Sequence, residues 1–475
     1  MAMKHASPAS LGIDPNAITA FADAVDKKGL GVHGLVVLRH GRVAAEGWWH
    51  PYQPDEPHMM FSVSKAFTSM AVGLAISEGL LALDEPTHAI FPESREIPGQ
   101  TVRHLLTMTT GHDSDLWDVL QSLPERDGVE LFFESPADYP PGTHFVYSTA
   151  STYVLAASVV RRSGQSLTEF LDERLFGPLG WPTPHWERDR RGLEHGGTGL
   201  KLTTRQLAQF GQLLLQRGEW EGRQLVPAEW IDQASAHQVR NPWFGSHESE
   251  IGYGFQLWRS SRGFRADGMC GQFAVVIPEL DLVVATTSGS PDANRILELI
   301  WRELLPGVEA GHEAAGDAGG ELFALSGRWV PEPRLEVADA AAEAAIDGRA
   351  FTLPGTPIGV DRIGVRFADD VVTLELSGPG VRSGESSERL VAGRTEWVYG
   401  TLPSTPLESL RDVPVAARAG WLNGTLEVHL QLIGTPFRWL WRLIPDGPEG
   451  PQLTTRFHPD LGLPSHLDTL LTVGQ

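Results

Sequence analysis

The first 305 residues mix apolar patterns of helical period with short apolar runs of strand length. Two runs, 35–38 and 43–49, flank His40-Gly41 and predict a β-hairpin. Apolar residues three or four apart then predict a helix from Ser62 to about Leu83. Further helices are predicted at 101–108, 155–162, 168–175, 204–216 and 295–305, and strands at 252–258, 273–277 and 282–286. Residues 112–143 show little periodicity, which predicts a long loop over a site.

The pattern changes beyond residue 305. Residues 306–320 are mostly Gly, Ala and acidic side chains, which is typical of a flexible linker. Residues 321–475 alternate with period two, and Asn423-Gly424 has the composition of a hairpin turn. The chain is therefore predicted to hold a large domain of mixed helices and strands at 1–305, a linker at 306–320 and an antiparallel β domain, a barrel or sandwich, at 321–475.

Composition narrows the function classes. Hydrophobic residues make up 41% of the 475 residues, as in ordinary soluble globular proteins. A formal net charge of −22 argues against nucleic acid or an anionic membrane as partner. The single cysteine, Cys270, allows no intramolecular disulfide, and the 17 histidines form no metal-ligand spacing. We expect a cytoplasmic protein with no metal and no organic cofactor; homo-oligomer formation stays open.

Ser62 and Lys65 carry the strongest chemical signal. They stand three apart at the predicted helix start, so hydroxyl and ammonium share a helix face. Serine needs a neighbouring base to act as a nucleophile, and a buried lysine of lowered pKa can serve as one. Of the five lysines, only Lys65 follows a serine by three positions. The plainer alternative is a buried helix with an incidental serine and lysine.

The order of several segments resembles the serine β-lactamase and penicillin-binding-protein superfamily, and most closely its class C-like branch of esterases, D-aminopeptidases and 6-aminohexanoate-oligomer hydrolases. The resemblance covers about residues 15–305. It rests on the N-terminal hairpin and on the segments Phe61–Lys65, Val102–Gly111, Pro141–Ser148, Gly199–Thr204 and Gly268–Phe273. It implies an α/β (α+β) domain in which helices flank an antiparallel sheet.

This resemblance also implies roles for individual residues. Ser62 corresponds to the acylated nucleophile, Lys65 to its base or pKa-lowering partner, and Tyr147 to the tyrosine that relays protons to the leaving group. A phenol titrates near pH 10, so we expect the nearby ammonium to lower the Tyr147 pKa. The backbone N–H groups of Ser62 and Met269 correspond to an oxyanion hole.

Two departures from the family pattern bear on substrate choice. Tyr147-Ser148-Thr149 stands where many relatives have Tyr-x-Asn, so Thr149 offers the substrate a hydroxyl instead of an amide. Ala266-Asp267-Gly268 stands where relatives have Lys-Thr-Gly or His-x-Gly, so a cation for substrate carboxylates is missing. We therefore expect Asp267 to disfavour anionic β-lactams unless Arg265 compensates for its charge.

The predicted function is a serine hydrolase that cleaves an ester or amide of a small molecule through an acyl-enzyme on Ser62. Within enzymes, the alternatives are a D-amino-acid amidase or peptidase and a weak β-lactamase. From another class, the alternative is a catalytically silent binding protein of the same fold. His112, Asp113 and Asp115 are interpreted as a solvated loop or as part of the cleft, and the glycine-rich segment 194–199 as a loop entering the next helix.

Overall fold

The computed structural model describes residues 3–242, 246–310, 321–330, 335–352, 361–378, 388–404, 411–444, 452–459 and 470–472. These residues form two compact units. The first contains the chain up to Trp48, Pro54–Ser288 and Asp292–Arg328. The second contains Trp49–Gln53, Gly289–Pro291 and the described residues from Trp329 onward.

The first unit contains a seven-stranded sheet in the order β11-β2-β1-β10-β9-β8-β7. Neighbouring strands are antiparallel except β11, which runs parallel to β2. The strands of this unit are β1 (Val32–Arg39), β2 (Arg42–Trp48), β3 (His58–Met59), β4 (Lys201–Leu202), β5 (Glu219–Trp220), β6 (Arg223–Gln224), β7 (Trp258–Ser260), β8 (Gly263–Gly268), β9 (Gln272–Ile277), β10 (Leu282–Ser288) and β11 (Phe323–Leu325).

Helices flank this sheet. Those of the first unit are α1 (Pro15–Lys27), α2 (Ser64–Ser77), α3 (Thr87–Ile90), α4 (Val102–Leu106), α5 (Trp117–Ser122), α6 (Gly128–Glu134), α7 (Thr149–Ser163), α8 (Leu167–Leu171), α9 (Thr204–Leu215), α10 (Ala228–Ser235), α11 (Ala293–Leu299) and α12 (Leu305–Glu309). Helix α9 packs on β1, β9 and β10, and α2 packs against α7. Because twelve of the fourteen residues of α2 are buried, this helix is rigidly held at the centre of the core.

The N-terminal hairpin is confirmed. Strands β1 and β2 pair around His40 and Gly41, whose φ angles of 52° and 69° are those of the two-residue turns that suit a hairpin. The predicted helices at 101–108, 155–162, 168–175, 204–216 and 295–305 all overlap helices of the structure.

Several predicted bounds were wrong. Helix α2 ends at Ser77 and not near Leu83, because Gly79 takes a left-handed φ of 73° just after it. The predicted loop 112–143 contains the helices α5 and α6. The strand predicted at 252–258 is interrupted, since Gly252 and Gln256 have φ angles of 135° and 64°, and strand β7 begins only at Trp258.

The second unit contains a ten-stranded sheet in the order β12-β13-β14-β15-β17-β18-β19-β20-β21, with β16 paired to β17. Its elements are α13 (Ala340–Ile346), β12 (Ala350–Thr352), β13 (Arg362–Phe367), β14 (Val371–Ser377), β15 (Glu388–Gly393), β16 (Val398–Ser404), β17 (Arg411–Leu422), β18 (Thr425–Leu432), β19 (Arg438–Ile444), β20 (Gln452–His458) and β21 (Leu470–Thr472). The predicted all-β character of this region and the Asn423-Gly424 turn are confirmed. The strands pair antiparallel except β15 and β17, which run parallel, and helix α13 was not predicted.

The predicted linker falls partly on described residues. Helix α12 occupies its first positions, and residues 311–320 lie outside the described part of the chain. Strand β11 belongs to the first unit, although period-two alternation places residues 321–328 in the β domain. The domain bounds 1–305, 306–320 and 321–475 stay a prediction. None of the helices described here is both long and apolar enough to cross a membrane.

Candidate active site

Ser62 lies in a short 3-10 turn, Phe61–Val63, that leads directly into α2. The preceding residue, Phe61, has a left-handed φ of 46°, an uncommon conformation for a bulky side chain. Backbone strain of this kind is found at functional sites, where the surrounding structure holds it in place. Ser64 is fully buried, and its hydroxyl accepts a hydrogen bond from the Leu200 N–H at 3.2 Å, so of these two serines only Ser62 is partly exposed.

Lys65 connects three parts of the site. Its Nζ donates to Ser62 Oγ at 3.0 Å, to Thr149 Oγ1 at 3.1 Å and to the Gly197 carbonyl at 2.9 Å. The side chain is only 1% exposed. Burial disfavours the charged ammonium and lowers the Lys65 pKa from 10.5 to about 7, and the nearby Asp115 carboxylate opposes that shift.

Tyr147 stands beside this pair, one residue before Ser148, the N-cap of α7. Lys65 Nζ lies 4.9 Å from the centroid of the Tyr147 ring, and the phenol forms hydrogen bonds with Ser62 and Trp258. Tyr253 also contacts the ring edge-to-face, with centroids 6.1 Å apart. The expectation that the ammonium lowers the Tyr147 pKa was wrong: burial among these aromatic rings raises it, and that effect exceeds the hydrogen bonds that lower it.

Asp115 fixes the start of α7. Its carboxylate accepts hydrogen bonds from the backbone N–H groups of Thr149 at 3.0 Å and Ala150 at 3.2 Å, and from Ser148 Oγ at 3.1 Å. These N–H groups have no partner inside the helix, so a carboxylate here both caps the helix and complements its dipole. The loop interpretation of Asp115 therefore missed a residue that holds Thr149 against Lys65.

The glycine-rich segment 194–199 also contributes to the site. Gly197 supplies the carbonyl that accepts from Lys65, and a Cβ at Gly197 would lie 2.8 Å from Thr149 Cγ2. Thr68 Oγ1 donates to the neighbouring Gly196 carbonyl at 2.8 Å. Sequence reasoning missed this role because a carbonyl acceptor carries no side-chain signal.

Strand β8 brings the last predicted site residues next to Ser62. A Cβ at Gly268 would lie 2.3 Å from the Met60 carbonyl oxygen, so only glycine permits this approach of strand to turn. Met269 follows at the strand end, with a side chain that is 51% exposed. Within the described residues, neither the Ser62 nor the Met269 backbone N–H donates to a protein acceptor, as an oxyanion hole requires.

Asp267 forms an ion pair with Arg265, the residue that the sequence analysis named as able to compensate for its charge. Arg265 Nε donates to Asp267 Oδ2 at 2.8 Å, and the two side chains are 2% and 24% exposed. Burial raises the Asp267 pKa, against the opposing effect of Arg265. Arg265 Nη1 also donates to Ser260 Oγ at 2.8 Å, which fixes the guanidinium. The carboxylate is therefore the more exposed member of a fixed ion pair.

No three His, Cys, Asp or Glu side chains of the described ranges lie close enough together to hold a metal ion. The groups gathered around Ser62 are instead those of acyl transfer: a hydroxyl beside an amine of lowered pKa, a phenol, and two backbone donors.

This fold and site define a serine hydrolase, with a serine and a buried lysine in hydrogen-bond contact where a 3-10 turn leads into a helix. The chain belongs to the Beta-lactamase family, whose profile matches residues 18–305.

Relatives within the family differ in activity. The chain is 27% identical over 287 residues to a 6-aminohexanoate-dimer hydrolase of Paenarthrobacter ureafaciens, covering 55% of this chain and 73% of the relative. It is 30% identical over 207 residues to esterase EstB of Burkholderia gladioli, covering 36% and 53%. A D-aminopeptidase of Brucella anthropi is 27% identical over 186 residues, covering 35% of each.

Among solved structures, a protein from Bacillus anthracis described as a putative 6-aminohexanoate-dimer hydrolase matches with a TM-score of 0.53 at 23% identity, covering 61% of this chain and 81% of the other. This likeness supports the fold. The family match and the named relatives bear out a serine hydrolase that cleaves ester or amide bonds.

Proposed function

We propose that Ser62 is the nucleophile of an esterase or amidase reaction, with Lys65 and Tyr147 handling its proton. The observation that carries this proposal is the 3.0 Å contact between Lys65 Nζ and Ser62 Oγ, made by a lysine whose pKa is lowered to about 7. Near neutral pH an appreciable fraction of such a lysine is the free amine, which accepts a proton.

The reaction then proceeds in two halves. Ser62 Oγ bonds to the substrate carbonyl carbon while its proton moves to Lys65 Nζ, and the oxyanion accepts hydrogen bonds from the Ser62 and Met269 N–H groups. The bond from carbon to the leaving oxygen or nitrogen breaks as Tyr147 passes a proton to that atom and receives one from Lys65. Water releases the acid by the same steps in reverse order. Because its pKa is raised, Tyr147 acts as a neutral phenol that passes protons on.

A fluorophosphonate probe tests the nucleophile. Ser62→Ala should lose all labelling while keeping its circular dichroism spectrum. The matched control is Ser64→Ala, which removes a buried structural hydroxyl and should keep its labelling. Labelling that persists in Ser62→Ala, or that disappears only in Ser64→Ala, contradicts the assignment.

We further propose that the site prefers neutral or amine-bearing substrates to carboxylate-bearing ones. Asp267 is the more exposed member of the Arg265–Asp267 pair, and its charge acts on the Tyr147 phenol, where it helps to raise the phenol pKa. An unscreened charge at 4 Å is worth roughly 4 kcal/mol at an effective dielectric of about 20. Arg265 cancels much of this, so we expect a preference of about tenfold, which corresponds to about 1.4 kcal/mol.

Asp267→Asn tests this preference because it removes the charge and keeps the shape. The ratio of kcat/KM for a neutral ester to that for its carboxylate-bearing analogue should fall by about tenfold, while the neutral ester alone changes little. The substrate proposal fails if native protein already prefers the carboxylate-bearing ester, or if Asp267→Asn leaves the ratio unchanged. Either outcome leaves the assignment of Ser62 intact.

A further inference from the structure

A cavity of about 290 Å³ lies in the second unit, along strands β18, β19 and β20. Glu427 pairs with Arg442, and Arg438 pairs with His458, across this sheet. Because side chains alternate faces along a strand, the charged residues of the cavity share one face. Its lining consists of Glu427, His429, Leu430, Arg438, Trp439, Leu440, Arg442, Arg456 and His458.

The negative charge of Glu427 in this cavity is already neutralised by neighbouring side chains. Glu427 is 2% exposed; its Oε1 accepts from Arg442 Nε at 2.8 Å, and its Oε2 contacts His429 Nε2 at 2.9 Å. Both carboxylate oxygens are therefore engaged. With its histidines neutral, the lining has a formal charge of +2, from three arginines and one glutamate, in a protein of net charge −22.

Arg438 and Arg456 are diagonal neighbours on one face of the β19–β20 pair, because Arg438 pairs with His458 and Leu440 with Arg456. Burial, together with the nearby Arg456 guanidinium, lowers the Arg438 pKa, whereas Tyr52 opposes that effect. Arginines on an ordinary solvated sheet face extend into water, but here Arg438 is only partly exposed and lines the same cavity as the buried His429. Like charges held together in a recess are stabilised by an anion placed between them.

We propose that this cavity binds a small organic anion through a carboxylate or phosphate group. A guanidinium offers a planar fork of N–H donors that fits either group with two parallel hydrogen bonds. The volume is at the lower end of small-molecule sites, which suits a metabolite and not a polymer. Arg438 and Arg456 hold the anion, and Arg442 remains with Glu427.

Isothermal titration calorimetry of the full chain tests this site, with citrate and inorganic phosphate as separate probes and glycerol as the neutral comparison. Ionic strength is held constant with sodium chloride. Native protein should bind at least one of the two anions at one site, and the stronger of the two identifies the preferred group. Arg456→Gln, at an exposed position that should not disturb folding, should weaken binding at least tenfold.

The control Arg362→Gln removes the same charge from an exposed position on β13 of the same unit, outside the cavity, and should leave binding unchanged. Native protein labelled at Ser62 by the fluorophosphonate should also bind as before, which separates this site from the active site. The proposal is overturned if neither anion binds, if Arg456→Gln binds like native protein, or if both arginine variants weaken binding equally.

Discussion

Three hydrogen bonds and almost complete burial set the chemistry of one residue, Lys65. An ordinary lysine titrates near pH 10.4 and is almost wholly protonated at neutral pH. Here the same side chain has a pKa of about 7, because the ammonium has lost its water and the nearby Asp115 carboxylate offsets only part of that effect. At neutral pH an appreciable fraction of Lys65 is therefore the free amine, the form that the proposed mechanism requires.

This conversion predicts the pH dependence of catalysis. In the proposed mechanism acylation requires the free amine of Lys65. We therefore expect kcat/KM for a neutral ester to rise as pH increases through about 7 and then to level off. Initial rates from pH 5 to 9, corrected for spontaneous hydrolysis, give the midpoint. A midpoint above pH 9 would show that Lys65 is not the base.

Sequence reasoning predicted that Ser62 and Lys65 lie together, as they do in the structure, but it did not predict the electrostatics around them. The contact between Ser62 and Lys65 could be predicted, because a spacing of three residues puts both side chains on one helix face. The Tyr147 pKa was not readable, since its direction depends on how deeply Trp258 and Tyr253 bury the ring. Such burial follows from segments more than a hundred residues away.

Among the elements, α7 shows how a helix end positions a catalytic group. Its first residue, Thr149, accepts from Lys65, and its N-terminal N–H groups are capped by Asp115, which stands 33 residues before Ser148. Caps of this kind contribute about 1 kcal/mol. Asp115 is therefore a positioning residue that also raises the Lys65 pKa by its charge.

Asp115→Asn separates these two contributions. The amide oxygen can still accept from Ser148 Oγ and the Ala150 N–H, but the NH2 group replaces the oxygen that accepts from the Thr149 N–H, and the negative charge that favours the Lys65 ammonium is lost. The midpoint of the kcat/KM profile should therefore move to lower pH, together with a loss of stability of about 1 kcal/mol from the weakened cap. Asp113→Asn, at an exposed position two residues away, is the matched control and should keep the native midpoint. A purely structural role for Asp115 would change stability and leave the midpoint in place.

Elements were predictable where local pattern and tertiary pairing agree. The hairpin of β1 and β2 combines two apolar runs with a turn that accepts positive φ, and α9 has Thr203 as its N-cap. Strand β8 was missed because Arg265 and Asp267 make it look polar; pairing with β9 and the ion pair between these side chains hold it in the sheet.

At the scale of the whole molecule, the two units were foreseeable from the change of pattern after residue 305. The assignment of each short segment to one unit or the other could not be predicted. The short segments Trp49–Gln53 and Gly289–Pro291 belong to the second unit although both neighbour strands of the first. Segments of three to five residues carry too little periodicity to reveal where they pack.

Burial of Lys65 also links catalysis to the stability of the fold. In the unfolded chain the lysine keeps its ordinary pKa of 10.5, whereas in the folded protein it is about 7. Between these values the unfolded state binds more protons, so the free energy of unfolding rises with pH across this window. The contribution of Lys65 to the free energy of unfolding is greatest above pH 10.5 and declines as pH falls towards 7. Below about pH 7 it stays at its lowest value, because the lysine is protonated in both states.

Lys65→Met removes this titration. The free energy of unfolding of native protein minus that of the variant should increase steadily from pH 7 to pH 10, measured by urea denaturation at each pH. A difference that does not vary with pH would mean that the folded lysine titrates normally. The same proton therefore affects two properties: when Lys65 binds it, the free amine is lost and the contribution of this residue to the free energy of unfolding falls, so both increase as pH rises from about 7.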